Sequence, residues 1–160
     1  MGDERPTQQL EILKIYLKDV SLETPYAPQI FNEQGAPEIN VQLSNNSSPV
    51  AENIYEVVLT LTVTAKVEEK TAYLVEVHQA GVFTIRGLSN EQLGPVLGAF
   101  CPNTLFPFAR ETVASLIGKS GFPPLLLNPV NFDVLYKQRL QQVQQEQQRS
   151  QQSPQTEIKH

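Results

Sequence analysis

IYEVVLTLTVTAKV, residues 54–67, is the stretch from which the fold can be read. Tyr55, Val57, Leu59, Leu61, Val63, Ala65 and Val67 are apolar, while Glu56, Thr60, Thr62, Thr64 and Lys66 alternate with them. Successive strand side chains point to opposite faces, so a period of two predicts a long half-buried strand. Glu68, Glu69 and Lys70 interrupt the pattern, and TAYLVEVHQAGVFTI (71–85) resumes it with Tyr73, Val75, Val77, Phe83 and Ile85. The two runs predict a hairpin closed by a short polar turn. Its second face carries Glu56, Thr60, Leu74, Glu76 and His78.

Upstream, EINVQLS (38–44) alternates Ile39, Val41 and Leu43, and NNSSP (45–49) supplies turn chemistry before the long strand. LEILKIYLKDVSLE (10–23) is ambiguous, because apolar residues occupy both parities: a helix, or a strand covered on both faces. Ile12, Ile15, Tyr16 and Val20 favour the strand. TPYAPQIFNEQGAP (24–37), with three prolines and a glycine, predicts an irregular crossing loop that exposes Tyr26, Ile30 and Phe31.

The second half changes period. Ser89 followed by Gln92 predicts a capping box, with Leu93, Val96, Leu97 and Phe100 at helical spacing behind it. Pro102 lacks a backbone donor and is expected to interrupt this helix. The spacing resumes through Phe106, Ala109, Val113, Leu116 and Ile117 to the glycines at 118 and 121. FPPLLLNPVNF (122–132) has three prolines and cannot be regular, yet it is strongly apolar. Phe132, Leu135, Tyr136, Leu140 and Val143 predict a last helix before a glutamine-rich tail. Strands first and helices last predict an α+β domain, an antiparallel sheet with helices on one face. A single domain is expected over 1–149, with a disordered tail from 150 to 160.

Composition narrows the function. The 160 residues carry a net charge of -5 with scattered lysines and arginines, so no basic stripe exists to neutralise a phosphate backbone, and nucleic acid is a poor partner. The N-terminal residues do not resemble a secretory signal, and no apolar run is long enough for a membrane span. A lone Cys101 fits a reducing compartment, and the cytoplasm is the expected location. No cofactor or metal is implied: His78 is the single internal histidine, and no phosphate-binding glycine loop is present. Cys101 reads as a small buried hydrophobe. What stands out is apolar side chains on irregular backbone, namely Phe31, Phe122 and Leu125 to Leu127. They either mark a protein-binding surface or tuck back into the core.

The segments IYLKDVSLETPYAPQIF (15–31), YEVVLTLTVTA (55–65), YLVEVHQAGVF (73–83) and CPNTLFPFARETVASLIGKSGFPPLLLNPVNFDVLY (101–136) resemble the SecB export chaperones, in order and spacing over about residues 10–140. The resemblance implies a four-stranded antiparallel sheet, a long crossover loop after the first strand, two helices on one face, and a homotetramer built as a dimer of dimers. It turns the ambiguous first run into a strand that pairs with its counterpart across a dimer, whose partner would cover the second parity. It implies an ATP-independent holdase, not an enzyme, that binds unfolded preproteins and passes them to SecA. Client contact is implied at Tyr26, Ile30, Phe31, Val41, Leu43, Phe122, Leu125, Leu126, Leu127, Leu135 and Tyr136. SecA, through a basic C-terminal tail that carries its own zinc, is implied at Asp19, Glu23, Leu74 and Glu76. Val75, Val77 and Gln79 are implied at the tetramer interface. Gly35 stands where some relatives carry a loop tryptophan. Two other readings compete: a SecB-like chaperone dedicated to an antitoxin, and a hotdog-type thioesterase using Glu91. A favourable charge at a helix start explains Glu91 better.

Overall fold

The computed structural model describes residues 7–152. Four strands, β1 (Gln9–Glu23), β2 (Glu38–Ala51), β3 (Ile54–Val67) and β4 (Lys70–Arg86), form one antiparallel sheet in the order β1-β4-β3-β2. α1 (Asn90–Pro95), a π-helical turn (Val96–Phe100) and α2 (Cys101–Lys119) follow as one continuous rod, and α3 (Phe132–Gln152) comes last. No helix among the described residues is long and apolar enough to cross a membrane.

The core lies between the sheet and α2. Val57, Leu59, Leu61 and Val63 from β3, and Val75, Val77 and Phe83 from β4, are fully buried there. They meet a row at helical spacing on α2: Cys101, Leu105, Ala109 and Val113, closed by Ile117. Burial pushes the Cys101 thiol up to about 12, so it packs as a small apolar group and supplies no thiolate at neutral pH.

β1 departs from its expected reading. Its ladder with β4 slips twice, between Ile12 and Lys14 and between Leu17 and Asp19. Each bulge inserts one residue and reverses the parity. Leu10, Ile12, Ile15, Leu17, Val20 and Leu22 are therefore opposite Ile85, Phe83, Gly81, Gln79, Val77 and Val75, all on the helix-bearing face. Apolar residues at both parities arise from two bulges and require no cover on the second face.

Three further expectations change. NNSSP is not the turn: β2 runs through it, paired to Ala51, and the chain reverses at Glu52 and Asn53, the latter at φ 58. Pro49 is tolerated because β2 is an edge strand, where a missing donor breaks no ladder bond. Pro102 does not interrupt the helix. The Cys101 amide bonds the Val96 carbonyl in a π turn, and the Leu97 carbonyl, whose next donor would be the N–H that Pro102 lacks, accepts from Asn45 Nδ2 at 3.1 Å. Finally, α3 continues to Gln152, past the expected boundary at 150, and residues 153–160 of the expected tail lie outside the described residues.

Candidate functional site

The sheet is wider than the rod that covers it. α2 packs over β3 and β4, which leaves the helix-side rows of both outer strands incompletely covered. On β1, Leu10, Ile12, Leu17 and Val20 remain exposed; on β2, Ile39 and Val41 do, while Leu43 is half-buried. The β2 row connects two aromatic anchors. It starts at Ile39, opposite Ala65 near the β3–β4 turn, and ends at Asn45, which bonds Leu97 and whose carbonyl accepts from Arg139 of α3 at 3.3 Å. The six residue steps from Ile39 to Asn45 span about 20 Å, the length of a short extended peptide.

At the first anchor the crossover loop folds over the sheet end. A 3-10 turn, Gln29–Asn32, drops Ile30 into the core, and Lys70 Nζ holds the loop through Glu33 Oε1 at 3.2 Å. The Phe31 ring stands outward against Phe122 at 5.2 Å, and Phe122 also meets Tyr73 at 5.4 Å. Gly121 makes this approach possible. Its φ is 89, and a Cβ there would lie 2.8 Å from the Phe31 ring. At the second anchor Phe132 meets Phe106 edge-on at 5.8 Å, and the Tyr136 ring packs closely on Gly98, where a Cβ would come within 2.4 Å of it. Asn131 Oδ1 accepts from the Val134 amide and so starts α3 at this point.

Most of the expected client residues gather along this strip. Tyr26, Phe31, Val41 and Leu135 are exposed, Leu126 is 79% exposed, and Leu43, Phe122, Leu125, Leu127 and Tyr136 are half-buried. Ile30 is a correction: at 3% exposure it belongs to the core, because the 3-10 turn points it inward while Phe31 points out. Within one loop, therefore, one apolar side chain tucks into the core and its neighbour stays exposed. Ile39, which is not among the client residues implied by the sequence, shares the row of Val41 and is likewise exposed.

Val75, Val77 and Gln79 are a second correction. They face α2 and are buried within the single chain, so their side chains present no surface to another copy. Gln79 is a polar residue on the apolar face, and its Nε2 donates to the Tyr16 carbonyl beside the second β1 bulge at 3.0 Å. That bond gives the buried amide of Gln79 a partner on the apolar face.

The opposite face of the sheet carries no helix among the described residues. Across β1 and β4 the register puts Asp19 opposite His78, Ser21 opposite Glu76 and Glu23 opposite Leu74, so Asp19, Glu23, Leu74 and Glu76 form one patch there. A polar clip borders it. Tyr16, opposite small Ala80, reaches across β4 and donates to Glu56 on β3, which Lys18 Nζ also contacts at 2.8 Å. The Lys18 ammonium and then the Tyr16 hydroxyl hold the Glu56 carboxyl below its usual range. Its carboxylate in turn pushes the Tyr16 phenol up to about 12, with burial adding to the effect.

Comparison with known proteins agrees with this geometry. Residues 3–143 match the family model described as Preprotein translocase subunit SecB. A Nitrosococcus oceani protein named Protein-export protein SecB is 61% identical over 84% of this chain and 83% of its own. One of the same name from Alkalilimnicola ehrlichii is 56% identical over 87% and 74%. Among solved structures, a Mycobacterium tuberculosis SecB-like chaperone in complex with an antitoxin peptide has the same fold. Its TM-score is 0.63 at 17% identity, over 76% of this chain and 90% of that one. The chain belongs to the SecB family of protein-export chaperones.

Proposed function

We propose that the chain holds unfolded secretory preproteins, without ATP, along the apolar strip between β2, the crossover loop and residues 120–136, and delivers them to SecA through the acidic patch on the opposite face. The observation that carries this reading is the segregation: exposed apolar side chains lie on the helix-bearing face, and Asp19, Glu23 and Glu76 share the other. Apolar burial is non-directional, at about 25 cal/mol per Å², so a strip flanked by aromatic anchors accepts many sequences. Holding a chain in this way calls for no catalysis, and the cytoplasm is where preproteins await export.

The working assembly is a homotetramer, a dimer of dimers. Two features support it: β1 is a 15-residue edge strand with exposed apolar side chains, and Phe100 and Phe108 are exposed one helical row away from the core-facing side of α2. Such edges and faces invite pairing. Val75, Val77 and Gln79 act on this assembly indirectly, by setting where α2 and the β1 bulge lie. The 61% identity to an export protein favours general export over a dedicated antitoxin client, since the SecB-like chaperone structure shares the fold at only 17%.

Light scattering should give four times 17.9 kDa. The purified protein should suppress aggregation of a slowly folding precursor equally with and without ATP, and Phe31→Ser with Leu126→Ser should weaken suppression at unchanged circular dichroism. Full suppression by that folded double variant would move the client site elsewhere.

A further inference from the structure

We infer that His78 makes docking of a basic partner on the acidic face depend on pH, its protonation removing negative charge from the patch while its hydrogen bonds stay in place. The inference rests on the docking reading above. His78 Nε2 lies 3.0 Å from Glu76 Oε1, and its Nδ1 lies 3.0 Å from Thr60 Oγ1. In the neutral ring Nε2–H donates to the carboxylate, and Nδ1 accepts from the Thr60 hydroxyl. After protonation Nδ1–H donates, and the hydroxyl oxygen accepts. A hydroxyl can take either part, so the ring gains a proton without moving. A lysine or a backbone carbonyl at that place could serve only one state.

The charged surroundings decide what the proton does. On β4 the neighbour is Glu76; on β1 Asp19 lies directly opposite, with Glu23 further along the strand. Lys18 sits beside the same bulge, but it and Tyr16 are engaged with Glu56 of β3. Lys14 on β1, Lys66 on β3 and Arg86 at the end of β4 lie farther along the open face, while Lys70 is engaged with Glu33 of the crossover loop. The carboxylates nearest the ring are therefore those of the proposed docking patch. With side-chain exposures of 31% for His78 and 44% for Glu76, both remain open to an incoming partner. An imidazolium would pair with Glu76 and compete with the partner's own cations. Imidazole is the side chain whose charge changes between pH 5 and 8, the range in which such competition matters.

Affinity for SecA should be measured from pH 8 to pH 6 for the wild type, His78→Gln and Glu76→Lys. The wild type should weaken over that range by about three- to fivefold more than His78→Gln, the scale of one exposed charge pair. Equal slopes in the two proteins would overturn the inference. Affinity in Glu76→Lys equal to wild type at pH 8 would remove the docking reading itself, and the inference with it. Reciprocal linkage gives a second readout on the wild type. The chain has two histidines, so the imidazole signal of His78 can be followed by nuclear magnetic resonance. Its titration should move to lower pH when SecA is bound, a shift that a merely structural histidine would not show; no shift would overturn the inference.

Discussion

The helix-bearing and open faces of the sheet share the same four strands but differ in what their side chains do. On the helix side Val57, Leu59, Leu61, Val63, Val75 and Val77 are lost from solvent under α2. On the open side Thr60, Thr62, Thr64, Glu76 and His78 remain accessible, and His78 bonds Thr60 across the β3–β4 pair and Glu76 along β4. Folding energy is concentrated on one face, which leaves the other free to be shaped for recognition. The apolar face carries a second burden at its margins, because its outer rows on β1 and β2 extend past the helix and stay available to other chains.

The sharpest test of that asymmetry is paired truncation. Leu105→Ala, which opens a cavity between α2 and the sheet, should cost about 2–5 kcal/mol in denaturant unfolding, whereas Thr62→Ala should stay within about 0.5 kcal/mol. Comparable costs would break the comparison. Gln79→Leu tests the polar exception on the apolar face. It fits the volume but abandons the Tyr16 carbonyl at the bulge, and should cost about 1–2 kcal/mol by thermal unfolding.

Glu56 tests the ionic exception on the open face. Its folded pKa lies below its unfolded value of 4.5, so its contribution is present above that value and is lost as pH falls through the folded one. The wild type should therefore lose stability more steeply than Glu56→Gln as pH falls below 4.5. Parallel curves would mean that the Tyr16–Glu56–Lys18 clip contributes nothing.

The same two faces explain what could be read in advance. β3 and β4 were legible because their ladder keeps one parity from the Ile54–Thr84 pair to the Ala65–Tyr73 pair and shifts only beside the hairpin turn, so Leu74 and Glu76 fell correctly on the open face. β1 was not, since bulges at Leu13 and Lys18 reverse parity and leave no composition signal. Pro102 misled because a proline reports its missing donor but not that Asn45, 52 residues away in the chain, would satisfy the released carbonyl. In the crossover loop the residue types identified an apolar segment but not its orientation. Only the 3-10 turn separates buried Ile30 from exposed Phe31. Long-range partners and local turns are the parts that periodicity does not encode.

The division of labour between the faces is tested most directly by Glu76→Lys, with SecA affinity and client holding measured on one preparation. Glu76 is partly exposed on the face opposite the helices and should matter little to folding. Placing a cation against a basic tail should lower SecA affinity by at least about tenfold, with the wild-type contact weakening as salt rises. Tetramer mass and suppression of precursor aggregation should be unchanged. Loss of client holding with SecA binding intact would show that the two faces had been assigned the wrong way round.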